Sequence, residues 1–287
     1  MLHFLMFAGG LAALVVGADL LVRGASRLAL SFGISPLVVG LTIVAFGTSA
    51  PEMAVSTGAV LNGQTGLAMG NVVGSNIFNV LFILGLSALI APLVVHVQII
   101  RQEVPILMGA SLLLLVLGLD GRISLTDAAL LFGLLLAYTV FLVVQSRRET
   151  QAAQAEFEAE IHAPAAGAWD ARLPVQIALI VAGLALLVLG SDWLVGAAVV
   201  FAKALGVSDL VIGLTIVAAG TSMPEVATSV AAALKGERDI AVGNVVGSST
   251  FNILGCLGLA GLAAGSEGLV VAPSLMAFDI WVMLAVA

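Results

Sequence analysis

The sequence predicts an all-α polytopic membrane protein built from two related halves that are inverted across the bilayer. Of its 287 residues, 61% are hydrophobic and only 9% are charged, whereas a soluble domain carries about 25% charged residues. Long apolar runs recur along the chain, each near the roughly 20 residues that a membrane-spanning helix needs. Two sequence blocks of the first half also return in the second half. These three observations define the predicted fold class.

Apolar runs separated by polar breaks predict nine spans. The first run lacks a basic n-region and is too long for the apolar core of a signal peptide, so we predict that it is retained. The stretch 146–172 mixes Arg, Glu and Asp with Ala and Pro, and it is predicted to be a solvated linker. It separates a first membrane unit, 1–145, from a second, 173–287. The predicted spans are 3–22, 36–60, 67–91, 103–119, 124–145, 175–200, 209–233, 240–264 and 269–287.

The distribution of Lys and Arg predicts the orientation. With the N-terminus outside, eight basic residues face the cytoplasm and two face outward, and positive residues are enriched in cytoplasmic loops. The linker is then cytoplasmic, and the plain composition suits a bacterial inner membrane. The eight are Arg23, Arg27, Arg101, Arg147, Arg148, Arg172, Lys235 and Arg238, and the two are Arg122 and Lys203.

The internal repeat has two parts. GLTIVAFGTSAPE at 40–52 and GLTIVAAGTSMPE at 213–225 are identical at eleven of thirteen positions. AMGNVVGSNIFNVL at 68–81 and AVGNVVGSSTFNIL at 241–254 agree at ten of fourteen, again with an offset of 173. Five predicted spans precede the second copy, and an odd number forces the copies into opposite orientations. Inverted repeats are typical of secondary transporters, whose substrate site lies near the midplane.

Glu52 and Glu225 are the sharpest candidates for a functional site. Each lies at an equivalent position within an otherwise neutral apolar span, where an ionisable side chain is costly and usually marks an ion path. A proline precedes each glutamate, and it must break the helix because it lacks an N–H. Broken helices occur at membrane depth where they line a cavity, and the freed carbonyls could ligate a cation.

Every other polar candidate offers oxygen, and helical spacing predicts that Thr48 and Ser49 share one face with Glu52. Calcium takes six to eight oxygen ligands, and two glutamates balance one divalent ion or two monovalent ions such as Na⁺ or H⁺. Zinc or copper would call for His and Cys, but the three histidines lie outside this set and Cys256 is single. No basic patch supports nucleic-acid binding. The candidate side chains are Thr48, Ser49, Glu52, Ser75 and Asn79 in the first repeat, and Thr221, Ser222, Glu225, Ser248 and Asn252 in the second.

These motifs resemble the paired signature repeats of the sodium/calcium exchanger family. The matching residues are GTSAPE at 47–52 with GNVVGSNIFN at 70–79, and GTSMPE at 220–225 with GNVVGSSTFN at 243–252. The resemblance implies ten helices in two inverted five-helix repeats, with the repeat motifs spanning 40–81 and 213–254. It also implies a central Ca²⁺ site at Glu52 and Glu225 with the carbonyls of Thr48 and Thr221. Flanking sodium sites are implied at Ala45, Ser49, Ser75, Ala218, Ser222 and Ser248, and Asn79 occupies the amide position of the first repeat.

The sequence departs from that family in two respects. Many members place an aspartate where Asn252 stands, so the sequence leaves open the sodium stoichiometry and the coupling ion. The second repeat also ends at Ala287 within its fourth span. Alignment with the first repeat predicts a tenth helix beyond this point.

The leading interpretation is an antiporter that exchanges Ca²⁺ for Na⁺ by alternating access, with no enzymatic activity and no cofactor. The resemblance implies that the first and sixth helices slide past a fixed core. The main alternative is a Ca²⁺/H⁺ antiporter, or exchange of another hard divalent ion. An intramembrane hydrolase is remote because no nucleophile–base pair is evident, and a channel has no need of inverted repeats. The sequence leaves the oligomeric state open, and a monomer would suffice for transport.

Overall fold

The protein is a helical bundle, and the structure, a computed structural model, describes residues 2–93, 95–146, 170, 172–206 and 218–287. Six of the described helices are long and apolar enough to cross a membrane, and one further span is a bent helix pair. The helices are α1 (Leu2–Phe32), α2 (Pro36–Thr48), α3 (Ala50–Leu61), α4 (Thr65–Ile90), α5 (Ile99–Asp120), α6 (Leu125–Ser146), α7 (Leu173–Ala204), α8 (Ala218–Thr221), α9 (Met223–Lys235), α10 (Arg238–Glu267) and α11 (Leu275–Val286).

The prediction of a polytopic helical membrane protein is confirmed, although several helices are longer than their predicted spans, and α1 exceeds its span by the most. Helix α1 has 31 residues, so it is about 46 Å long, and the hydrocarbon core of a bilayer is only about 30 Å thick. The assignment of Arg23 and Arg27 to a loop was wrong, because the helix continues through them to Phe32. An apolar run measures the part of a helix in lipid, and it does not measure the whole helix.

Helices α1 and α7 pack against each other through glycines. A Cβ on Gly10 would lie 2.7 Å from the Gly190 carbonyl oxygen, and one on Gly17 would lie 2.9 Å from that of Gly183. Real Cβ atoms do not approach so closely, so the two backbones are in direct contact at both places. From Gly10 to Gly17 the residue number rises along α1, whereas the contacted residue in α7 falls from Gly190 to Gly183. The first helices of the two halves are therefore antiparallel.

Two helix breaks occur at equivalent serines. Helices α2 and α3 meet at Ser49 with a bend of 42°, where Ser49 has φ −78° and ψ 1°. Helix α9 follows α8 at Ser222, with φ −88° and ψ 7°. Both serines adopt the sparsely populated bridge conformation, which recurs at functional sites. Pro51 and Pro224 are the second residues of the helices that follow, where a missing N–H costs no hydrogen bond.

Helix α10 lies at the centre of the bundle, and all of its residues from Asp239 to Phe251 are buried. A Cβ on Gly243 or Gly247 would come within 3.0 Å of the backbone of α2. These two glycines therefore serve helix packing, as small residues four apart commonly do in membranes. Within α4 and α10, short π-helical segments cover Asn79–Leu84 and Asn252–Cys256. The first segment begins at Asn79, and the second begins at the equivalent residue of the other half, Asn252.

Two short strands link the loops at one end of the bundle. Strand β1 (Arg122–Ile123) pairs antiparallel with β2 (Leu269–Val270), so the loop before α6 and the loop after α10 lie on the same side. The predicted span 269–287 was wrong at its start, because α11 begins only at Leu275. Gly268 permits the close approach of the strands. Its φ is +67°, and a Cβ would lie 2.5 Å from the Ile123 carbonyl oxygen.

The opposite end of the bundle is joined by ion pairs. Arg23 Nε lies 2.8 Å from the Asp170 carboxylate, and Arg27 Nε lies 3.3 Å from the same oxygen. Lys235 Nζ lies 2.7 Å from the Asp19 carboxylate. The ends of α1 and α9 and the start of α7 therefore share one side. The predicted linker lies outside the described residues except for Ser146, Asp170 and Arg172, and so do residues 213–217 of the second motif.

Candidate functional site

Glu52 and Glu225 occupy equivalent places directly after the two helix breaks. Each is the third residue of its helix, α3 or α9, and each is fully buried. A helix N-terminus favours a negative charge because its first N–H groups point outward. Each carboxylate accepts a hydrogen bond from a serine at the helix break of the opposite half, which places both acids in one site. The structure thus brings together the two acids that the sequence singled out.

The two carboxylates are bridged to the opposite half by serines. The Ser222 hydroxyl donates to Glu52 Oε1 at 2.9 Å, and the Ser49 hydroxyl donates to Glu225 Oε1 at 3.3 Å. The prediction that Ser49 shares a helix face with Glu52 was wrong. The helix breaks at Ser49, so the three-residue spacing no longer places the two side chains together.

The second oxygen of each glutamate has no hydrogen-bond donor in the described part of the chain. Glu52 Oε2 and Glu225 Oε2 are both buried and without a partner. Glu103, a buried acid elsewhere in the bundle, is different, because it accepts from Tyr138, Gln98 and Gln102 through both oxygens. Buried acceptors are normally paired. Two buried carboxylate oxygens without a donor among the described residues are therefore suited to a cation.

Asn71 and Asn244 brace this pair of glutamates. Asn71 Nδ2 donates to the Ser56 hydroxyl at 3.0 Å and to the Glu52 carbonyl at 3.5 Å. Asn244 Nδ2 makes the equivalent bonds, at 2.9 Å to Ser229 and 3.4 Å to the Glu225 carbonyl. Ser56 and Ser229 were not predicted as site residues, although the repeat offset of 173 pairs them.

The predicted threonines and outer serines line the same pocket. Thr48 Oγ1 donates to Asn244 Oδ1 at 3.0 Å and lies 3.3 Å from the Ser248 hydroxyl. Thr221 Oγ1 donates to Asn71 Oδ1 at 3.5 Å. The Ser222 hydroxyl also lies 3.2 Å from that of Ser75. Each half thus contributes hydroxyls to the neighbourhood of both carboxylates.

The two predicted alanines are placed differently. Ala45 is buried, and its carbonyl accepts from the Ser49 N–H at 3.0 Å and from Thr48 Oγ1 at 3.3 Å. Ala218 begins α8, and its side chain lies outside the described part. The repeat also pairs two acids outside the motifs, Asp19 in α1 and Asp192 in α7. Both are exposed, and neither lies in the pocket.

The equivalent amides Asn79 and Asn252 make different hydrogen bonds. Asn79 Nδ2 lies 3.5 Å from the Ser249 hydroxyl, and Asn79 Oδ1 is buried without a partner in the described part. Asn252 Nδ2 donates to Asn76 Oδ1 at 3.2 Å, and Asn252 Oδ1 accepts from the Cys256 thiol at 3.4 Å. Asn76 and Cys256 were not singled out from the sequence.

A hydroxyl from α7 also reaches the second break. The Ser191 hydroxyl donates to the Gly220 carbonyl at 2.6 Å, and this is the carbonyl that Pro224 leaves without its helical partner. Such freed carbonyls were predicted to be available to a cation, but this one is already bonded. The equivalent residue in α1 is Ala18, so the first half lacks this bond.

A multi-pass helical bundle that buries two carboxylates among hydroxyls and amides, each bonded to a serine of the opposite half, defines a membrane cation antiporter. The chain belongs to the sodium/calcium exchanger protein family, which it matches over residues 2–144 and 175–287. The members of this family are transporters.

Individual relatives agree with this assignment. The chain is 40% identical to the putative antiporter CaxA of Alkalimonas amylolytica over 89% of the chain and 79% of that protein. It is 39% identical to the inner membrane protein YrbG of Escherichia coli, over 97% of the chain and 84% of the relative. It is 33% identical to the sodium/calcium exchanger MaX1 of Methanosarcina acetivorans, over 91% and 83%.

Among solved structures, the chain resembles the sodium-calcium exchanger NCX_Mj soaked with Na⁺ and Ca²⁺. The TM-score is 0.83 at 31% sequence identity, and the match covers 99% of this chain and 88% of the other. The expected all-helical membrane fold and the family are both confirmed.

Proposed function

We propose that this protein exchanges Ca²⁺ for Na⁺ across the membrane by alternating access at a pocket centred on Glu52 and Glu225. The observation that carries the proposal is that two buried oxygens, Glu52 Oε2 and Glu225 Oε2, have no hydrogen-bond donor among the residues that the structure describes. A divalent cation between them would neutralise both charges and occupy both free acceptors. Ca²⁺ prefers such carboxylate and carbonyl oxygen ligands.

The proposed ligand set draws equally on both halves. The central ion would bind the two glutamates and the carbonyls of Thr48 and Thr221. Sodium ions would bind at flanking positions formed by Ala45, Ser49, Ser75, Ala218, Ser222 and Ser248. Asn79, whose side-chain oxygen has no partner in the described part of the chain, would be a further ligand.

The choice of Na⁺ as the counter-ion is supported by two observations. Hydroxyls of Ser49, Ser75, Ser222 and Ser248 add neutral oxygens around the two acids, and a site that only exchanged protons would not need them. The relative MaX1 and the structural neighbour NCX_Mj are both named as sodium–calcium exchangers. Ca²⁺/H⁺ exchange is the alternative, because Asn252 leaves only two acids to balance the ions.

Alternating access is supported by the closure of the pocket. Glu52, Glu225, Ser49 and Ser222 are all without exposed surface, so an ion can reach them only after helices move. Helix α7, which packs against α1, covers both breaks, since a Cβ on Gly47 would strike Leu184 and one on Gly220 would strike Val195. The glycine-mediated contact between α1 and α7 makes them a unit that could shift together against the rest of the bundle.

We also propose an inner-membrane orientation with the N-terminus outside and the linker in the cytoplasm. The strand pair places the loops around Arg122 and Val270 on one side, which fits the span count. A cysteine at position 122 should then react with an impermeant maleimide added outside, whereas one at position 101 should react only after permeabilisation. The single native cysteine is buried, which keeps the background low.

The decisive experiment measures ⁴⁵Ca²⁺ uptake into proteoliposomes loaded with Na⁺ or with K⁺ at matched pH. Uptake that depends on the outward Na⁺ gradient supports the proposal. Uptake that ignores Na⁺ and follows an imposed pH gradient would replace it with Ca²⁺/H⁺ exchange. Flux without any counter-ion dependence would overturn antiport altogether.

A further inference from the structure

A chain of hydrogen bonds connects four residues beside the ion pocket. Asn76 Nδ2 donates to the Ser249 backbone carbonyl at 3.1 Å, Asn252 Nδ2 donates to Asn76 Oδ1 at 3.2 Å, and the Cys256 thiol lies 3.4 Å from Asn252 Oδ1. All four residues are fully buried or nearly so. No water or other group is needed to complete this chain.

The bond to the Ser249 carbonyl determines which atom donates and which accepts in every other bond of this chain. A backbone carbonyl can only accept, so the atom of Asn76 that faces Ser249 must be its nitrogen. The Asn76 oxygen therefore faces Asn252 and requires the nitrogen of Asn252. The Asn252 oxygen then faces Cys256, whose S–H is a weak donor. The orientation of the Asn252 amide follows from its partners, although O and N are hard to distinguish by shape alone.

The first half has no such chain. The residue equivalent to Cys256 is Ile83, which is buried and has no donor. The residue equivalent to Asn76 is Ser249, and it offers Asn79 only a long 3.5 Å contact. Asn79 Oδ1 consequently has no partner in the described part of the chain.

We propose that Cys256 is a positioning residue that holds the Asn252 oxygen out of the ion pocket, so that only Asn79 of the two equivalent amides ligates the cation. This inference rests on the proposed cation exchange and deepens it. It assigns different tasks to two positions that the repeat makes look alike. It also predicts that the thiol acts through its hydrogen bond and does not merely fill space.

The test compares Cys256→Ser, which keeps a donor, with Cys256→Val, which keeps an apolar volume and removes the donor. The KM and maximal rate of ⁴⁵Ca²⁺ uptake are measured in proteoliposomes. The serine variant should keep the KM within about twofold of the wild type, since it retains the bond. In the valine variant, the released Asn252 oxygen joins the cation, so the KM should fall about fivefold and turnover should slow.

A packing role predicts the reverse, because buried Cys behaves as a small hydrophobe. A normal Cys256→Val with an impaired Cys256→Ser would therefore overturn the inference. Adding Asn252→Ala to Cys256→Val should cancel the fall in KM if the released oxygen causes it. If the KM change of the double variant equals the sum of the free-energy effects of the two single variants, the inference is also overturned, because residues that act through one hydrogen bond should not be additive.

A spectroscopic readout separates this inference from the transport proposal. Cys256 is the only cysteine, so the infrared S–H stretching band of the purified protein reports on this thiol alone. The band should move to higher frequency in Asn252→Leu. If the band moves while the wild type fails to transport Ca²⁺, the exchange proposal fails and the hydrogen-bond chain stands. An unchanged band would refute the chain itself.

Discussion

The Ser222 hydroxyl donates to Glu52 Oε1 at 2.9 Å across 170 residues of sequence. The reciprocal bond, from Ser49 to Glu225, is 3.3 Å long. Each acid of the pocket is thus held by the helix break of the other half. A movement that separates the two breaks would remove a donor from both carboxylates at once, which links the geometry of the pocket to the arrangement of the halves.

The carboxylates should be essential for transport. Glu52→Gln and Glu225→Gln each replace one oxygen of a buried carboxylate with an uncharged NH2 group. One positive charge of the proposed cation is then left unbalanced. We expect ⁴⁵Ca²⁺ uptake to fall to the level of empty vesicles in both variants. Glu267→Gln, which alters an exposed acid, is the control and should transport normally. Uptake at the wild-type rate in either pocket variant would exclude the site.

The two bridging serines should contribute unequally. Ser222→Ala removes the shorter bond to a carboxylate, and a hydrogen bond to a charged group is worth enough to raise the KM for Ca²⁺ about tenfold. Ser49→Ala removes the longer bond, so its effect on the KM should be smaller. Concentration series of initial uptake rates give both values. The opposite order would show that the bond lengths do not reflect the contributions to binding.

Contact between α1 and α7 should depend on the absence of a side chain at Gly10. A Cβ there would lie 2.7 Å from both the Gly190 oxygen and the Leu194 nitrogen. Overpacking against backbone cannot relax easily, so Gly10→Ala should lower the Tm of the purified protein by about 5 °C or more.

Gly9→Ala is the matched control for this change. It adds the same methyl group one residue away, where the nearest atom is a Trp193 ring carbon at 3.6 Å. Because helix propensity rises equally in both variants, the difference in Tm isolates the contact. Equal Tm values would mean that the two helices are not packed backbone to backbone.

The Asp170 carboxylate should stabilise the protein only when it is ionised. Removal from water opposes ionisation, but the Arg23 Nε–H and the Arg27 charge hold the pKa of Asp170 below its ordinary value. A carboxylate with a lowered pKa contributes stability above its unfolded pKa, about 3.9, and loses it as the pH falls through the folded value. Asp170→Asn should therefore lower the Tm at pH 7.

The difference in Tm between this variant and the wild type should shrink as the pH falls below about 4. Other carboxylates titrate in the same range, but they do so in both proteins, so the difference reports on Asp170. The exposed Asp192 provides the control, and Asp192→Asn should match the wild type at every pH. A constant deficit of Asp170→Asn down to the lowest pH would argue against the ion pair.

Much of the architecture could be predicted from local patterns. Hydropathy located the spans because lipid demands continuous apolar helices, and the errors lay at helix ends such as Arg23, where the helix leaves the lipid. The repeat offset located Glu52 and Glu225 and the residues around them. The same offset also pairs Ser56 with Ser229, which lie outside the two repeated blocks and were not predicted as site residues.

The contacts within the pocket could not be predicted in this way. Helical spacing assigned Ser49 to the face of Glu52, but the break at Ser49 turns it toward Glu225. The different hydrogen bonds of Asn79 and Asn252 depend on Ile83 and Cys256, one turn away from each, and on Asn76, which reaches Asn252 from the other half. No spacing rule within one segment contains that information.

The sequence by itself determined a membrane protein with two inverted halves and two buried acids, because burial in lipid and duplication both leave periodic marks on the chain. Only the tertiary structure decided which hydroxyl meets which carboxylate, which carbonyl is already bonded and which amide oxygen is free. Those choices depend on hydrogen bonds between helices far apart in sequence. Their geometry is set when the two halves pack together.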